Sequence, residues 1–136
     1  MNNLIYLQAL RQIDKVGNKK CIEITKFLKF DTDIIKTDKE FISLTSNFFD
    51  KETIQRKLEL SYIIHEKHLT ENIKSFSYYD KDYPKNLLNL TSVPAIIYIR
   101  GNYIPNSTQK KIAVIGTRNP SIESQIIEKS FVEKLI

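Results

Sequence analysis

The chain is poor in the residues that anchor most catalytic and metal chemistry. Cys21 is its single cysteine, so an intrachain disulfide and a cysteine-based zinc site are both excluded, and a lone thiol suits a reducing, cytoplasmic setting. His65 and His68 are its only histidines, with Glu66 and Glu71 as the nearby acids. A zinc centre needs more well-placed ligands than that, so no metal and no cofactor is expected. No Ser/His/Asp or Cys/His set has positional support, so no catalytic residue is expected and the chain reads as a non-enzyme. No stretch approaches the roughly 18 consecutive apolar residues of a membrane span. Met1–Leu10 lacks the basic start and small-residue cleavage site of a signal peptide.

What is present fits one ordinary domain or two small ones: 136 residues, of which 41% are hydrophobic and 27% charged, too apolar for a disordered chain. The net charge of +5 is unevenly spread. Residues 11–29 hold six basic and two acidic side chains, residues 30–73 hold six basic and nine acidic, and residues 83–122 hold five basic and no acid. Two basic islands flanking an acidic stretch suit a phosphate-bearing partner, although charge runs are also ordinary solvated faces.

Hydrophobic spacing predicts four short helices over residues 1–72. Leu4, Ile5, Leu7, Leu10 and Ile13 mark the first, with Asn2 or Asn3 as cap. Val16-Gly17-Asn18 breaks it, and Asn18 caps a second whose apolar positions are Ile22, Ile24, Phe27 and Leu28. Thr37-Asp38-Lys39-Glu40 has the capping-box form and starts a third. Asp50 caps a fourth, with Ile54, Leu58, Tyr62 and Ile63 as its buried stripe and Leu69 near its end. From residue 73 the pattern changes. Strands are expected over Lys74–Tyr79, Ala95–Ile99 and Lys111–Ile115, the last apolar enough to be central in a parallel sheet. Pro84 opens a helical turn over Lys85–Leu90, and Ser121 caps a last helix to Ile136.

Two segments carry recognition chemistry. In Ile13-Asp14-Lys15-Val16-Gly17-Asn18-Lys19-Lys20-Cys21, an apolar-Gly pair between two helices has the form of a helix-hairpin-helix, whose backbone N–H groups hold a DNA phosphate. The usual earlier glycine is Lys15; Lys15, Gly17, Lys19 and Lys20 are secondary candidates for DNA contact, against the plainer reading of a helical packing unit with exposed lysines. In Lys110-Lys111-Ile112-Ala113-Val114-Ile115-Gly116-Thr117-Arg118-Asn119-Pro120-Ser121, an apolar strand, a glycine turn and a helix start form a Rossmann-like phosphate corner. Arg118 offers a bidentate fork and Ser121 a hydroxyl. The alternative is a structural strand–loop–helix in which Arg118 ties down a neighbouring loop. Tyr78, Tyr79 and Tyr83 are candidates to stack on bases or, equally, core side chains with wet hydroxyls.

In order and spacing these segments resemble the N-terminal part of the DNA-processing protein A family (DprA, also called Smf). Asp80-x-x-Tyr83-Pro84-x-x-Leu87, then Pro94 to Gly101-Asn102, then Gly116-Thr117-Arg118-x-x-Ser121 are similar to that family's motifs. The resemblance implies an α/β chain. A four-helix, helix-hairpin-helix or SAM-like domain occupies residues 1–72, and an incomplete Rossmann-like parallel-sheet domain begins at residues 73–136. It implies a protein that binds single-stranded DNA in natural transformation and recombination, protects incoming DNA and loads RecA recombinase. Gly116, Thr117, Arg118 and Ser121 would line its phosphate pocket, with Lys110 and Lys111 alongside. Two departures stand out. Ser121-Ile122-Glu123-Ser124 lacks the family's aromatic and glycine and puts an acid beside the pocket. The chain also stops at Ile136, so it is expected to be truncated and impaired, without the RecA interface and completed by a separate C-terminal half. Two other readings stay open: a nucleotide-binding module using the same glycine corner, and a non-binding remnant that docks a partner through residues 1–72.

Overall fold

A computed structural model describes residues 2–30, 35–105, 107, 108 and 112–135. Side-chain caps set several element boundaries. Thr37 accepts a hydrogen bond from the Glu40 N–H (3.2 Å), and Glu40 reaches back to the Lys36 N–H (2.9 Å), opening helix α3, Asp38–Thr45. Asp50 accepts from the Thr53 N–H (2.8 Å) and opens α4, Lys51–Thr70. That carboxyl titrates below its ordinary value, chiefly because it accepts the Thr53 hydrogen bonds.

The first two helices, α1 (Asn2–Arg11) and α2 (Asn18–Phe27), start differently from expectation. Asn3 lies inside α1 and donates to Phe30 O (3.2 Å). Gly17, not Asn18, takes the cap position of α2, with no side-chain cap bond. Asn18 instead accepts from the N–H of buried Ala95 (3.2 Å). A buried backbone donor needs a partner, and this one draws the asparagine away from its own helix.

The apolar faces of these helices share one core. Ile5, Leu7 and Leu10 of α1 pack with Ile24 and Leu28, Phe41, Ile54 and Leu58. The Tyr6 and Phe41 rings stack at 4.4 Å. Tyr6 and Tyr62 both donate to Asp38 Oδ1, at 3.1 and 2.8 Å, and each phenol is shifted upward first by burial and then by that carboxylate.

One expected core stripe is corrected. On α4 the inward face runs Ile54, Leu58, Ser61, so Tyr62 is half out and Ile63 and Leu69 are exposed. Ile63 lies two positions beyond Ser61, on the far side of a helix turn. On α2, Phe27 is 70% exposed and meets Phe48 edge-on at 5.4 Å. The fourth helix runs from its Asp50 cap to just past Leu69, 20 residues in all.

The remaining elements are β1 (Ile73–Ser77), a 3-10 turn (Lys85–Asn89), β2 (Ile96–Arg100) and α5 (Ile122–Glu133). Strands β1 and β2 pair antiparallel, Ile73 opposite Arg100 and Ser77 opposite Ile96. Among the described residues this is the whole sheet, so the expected parallel arrangement is not seen. The sheet rests on the helices: Thr25 Oγ1 meets the Tyr79 hydroxyl at 2.8 Å, and Arg100 pairs with Glu71 at 2.6 Å. Gly101, at φ 107°, turns the chain away after β2 in a conformation that suits glycine. No helix of the described residues is long and apolar enough to cross a membrane.

Candidate phosphate-binding corner

Gly116, Thr117, Arg118 and Ser121 lie together on one exposed corner at the start of α5. Ser121 caps the helix, its Oγ accepting from the Ser124 N–H (3.2 Å) and lying 3.0 Å from Ser124 Oγ. The next amide, of Gln125, goes to Ser121 O (3.1 Å). That leaves the Ile122 and Glu123 N–H groups without an intrahelical acceptor, at the positive end of the helix. Thr117 Oγ1 accepts from the Asn119 N–H (3.4 Å), closing the turn. Arg118 is exposed and has no hydrogen bond or ion pair among the described residues. Its guanidinium ties down no loop among the described residues. Glu123 is exposed in the first turn of α5 and would oppose an anion there.

The expected strand leading into this corner is corrected. Residues 112–115 form no ladder and are exposed, Ile115 by 93%. An apolar β-run becomes a strand only where neighbouring strands accept its backbone bonds, and no described strand lies beside it. A cleft of about 450 Å³ opens between this segment and α5, walled mainly by Ile115, Ile127 and Phe131 with Gly116 and Thr117 at its polar end. Lys110 and Lys111 lie outside the described residues.

The second basic cluster surrounds the α1–α2 turn. Lys15, Lys19 and Lys20 are exposed there. Lys15 takes φ 64°, the left-handed backbone that a glycine would occupy without strain. Gly17 has an ordinary backbone, and a Cβ added to it would meet nothing within 4 Å, so packing does not demand glycine at that position. Arg11 Nη1 donates to Val16 O and braces the turn. Cys21 sits fully buried against α1, and burial pushes its thiol up to about 12.

The tyrosines divide. Tyr83 is buried and donates to Pro94 O (2.7 Å), while Tyr78 meets Tyr79 and Tyr83 edge-on at 5.2 and 6.2 Å. Tyr83 is therefore an interior side chain rather than a platform for bases. The His68 ring packs edge-on against Tyr98 at 4.8 Å, and no group of three metal-ligating side chains occurs among the described residues. Sequence reasoning missed a polar pair, Gln8 on the inner side of α1 and Gln12 just past its end. The available signal was two glutamines one helical turn apart, interleaved with the apolar positions.

No curated protein and no solved structure matches the chain. Residues 74–136, which hold the antiparallel pair, the Gly116–Ser121 corner and α5, match the family model described as DNA recombination-mediator protein A. That segment is similar to the DNA-processing protein A family.

Proposed function

We propose that the chain is a non-enzymatic DNA-binding protein of recombination. It holds single-stranded DNA by backbone phosphates at the Gly116–Ser121 corner, in recombination processes such as natural transformation. In this reading, residues 73–136 are Rossmann-like and residues 1–72 a helix-hairpin-helix-like domain. The observation that carries it is the exposed Arg118, unpaired among the described residues, beside the start of α5 and within the segment that matches a DNA recombination-mediator family. A forked cation and open N–H groups suit phosphate oxygens and are blind to base sequence.

The test is fluorescence anisotropy of a labelled single strand titrated with wild type and Arg118→Ala at two salt concentrations. Affinity should fall with salt by roughly 0.7 log units per log unit for each phosphate neutralised. Arg118→Ala should lose about 1.5–3 kcal/mol, the worth of a charged hydrogen bond. Loss confined to one DNA sequence, or equal competition by a mononucleotide, would contradict the reading; the second result would favour a nucleotide-binding module.

A further inference from the structure

We propose that a second pocket, where α1, α4 and β2 meet, receives a nucleobase: a flat ring that carries an N–H donor beside carbonyl-type acceptors. The pocket measures about 430 Å³, at the small end of small-ligand sites.

Its chemistry follows from two glutamines. Gln12 Nε2 donates to Ser61 Oγ (2.7 Å) and to Gln8 O (3.3 Å). The Ser61 hydroxyl proton is already given to Lys57 O (2.8 Å), so both neighbours of the Gln12 amide need a donor. The amide cannot be turned round, and Gln12 Oε1 is left buried with no partner. Gln8 is only 4% exposed, yet its side-chain amide has no hydrogen bond among the described residues. Gln12 Oε1 is fully enclosed, so it is the Gln8 amide, without a protein partner yet open to the pocket, that points to a ligand that completes it.

The rest of the lining fits that ligand. Arg11 spends one N–H on Val16 O and retains others. Asn18 accepts from Ala95 through Oδ1, leaving Nδ2 as a donor. Tyr98 lends a partly exposed ring. No acid lines the pocket among the described residues. The required partner therefore both donates and accepts along one edge and is neutral or anionic, as an unpaired base is. Arg11 and Asn18 flank the turn that exposes Lys15, Lys19 and Lys20. A strand held by those lysines would lie beside Arg11 and Asn18 of the pocket lining. The choice of a base over another amide-edged ring rests on the single-strand reading above; the unpaired glutamines do not.

The test compares two labelled 30-nucleotide strands of equal charge, one of mixed sequence and one abasic, on wild type, Gln8→Met and Arg118→Ala. In parallel, the side-chain NH₂ resonances of Gln8 and Gln12 are followed while the four deoxynucleoside monophosphates are titrated into the wild type. Gln8→Met conserves volume and removes an amide that bonds nothing, so it should melt with the wild type. Wild type should prefer the mixed strand by roughly tenfold, the scale of one held base. Gln8→Met should abolish that preference without changing abasic affinity, while Arg118→Ala weakens both strands. Equal affinity for the two strands, or a preference that survives Gln8→Met, overturns the base pocket and leaves phosphate binding standing. Resonance shifts with monophosphates but no strand binding would support the pocket and overturn the strand reading. Silence in every arm overturns both.

Discussion

Lys15 occupies a backbone position that glycine would hold more cheaply, and replacing it measures that strain. Its φ of 64° is left-handed, where a side chain crowds the following carbonyl at a cost of about 1–2 kcal/mol. Lys15→Gly removes that cost. Glycine also gains freedom in the unfolded chain, which takes back about 0.4–1 kcal/mol. The net expectation is stabilisation by roughly 0.5–1 kcal/mol, or about 2–5 °C in melting temperature for a chain of this size. Lys15→Ala keeps the crowding and loses the same exposed charge, so it serves as the control and should melt with the wild type. Circular dichroism at 222 nm with chemical denaturation separates the two. The wild type and both variants should share one denaturant slope. A Lys15→Gly protein melting at or below Lys15→Ala would refute the strain reasoning, and the turn would have to draw stability from the lysine itself. Lys29, at φ 56°, offers an internal repeat of the experiment. It stands just past α2, where Phe30 N–H bonds Thr25 O and Lys29 N–H bonds Lys26 O (3.0 Å each), a helix stop that normally uses glycine.

Leu10→Ala, emptying a fully buried site between α1 and its neighbours, should cost about 2–5 kcal/mol in denaturant unfolding. Gly101→Ala places a side chain at φ 107° and should cost on the order of 1–3 kcal/mol although nothing crowds the added carbon. Asp50 adds a pH dependence. Its folded carboxyl titrates below the ordinary 3.8, so its stabilisation is complete above that value and is lost as pH falls through the folded pKa. Asp50→Asn keeps the cap without the titration, and its melting temperature should fall less than the wild type's between neutral and strongly acidic pH.

The parts of the fold legible in sequence are those decided by neighbouring residues. Thr37, Asp50 and Ser121 cap their helices because a short polar side chain reaches an amide three residues on, whatever the rest of the chain does. Pro84 precedes its helical turn for an equally local reason. What distant residues decide was not legible. Asn18 caps nothing because Ala95, far along the chain, needs its oxygen. Tyr62 leaves the core because Ser61 meets Gln12 and because its own hydroxyl finds Asp38. Residues 112–115 have the composition of a strand, but no described neighbour stands beside them to make them one. The candidate corner was legible as a motif, since a glycine, a forked cation and a capping serine are contiguous. The Gln8–Gln12 pocket was not, because polarity inside a helix face signals a site only once burial and missing partners are known.

Cys21 gives the molecule a built-in clock. The chain's only thiol is closed off where α2 lies on α1, its sulfur 3.8 Å from Leu7 O. It stays protonated and out of reach while those helices are docked, so an alkylating reagent can label it only in moments when they part. The labelling rate therefore counts the openings of the α1–α2 hairpin, and its slowing when a strand or nucleotide is added reads out whether that ligand holds the hairpin shut.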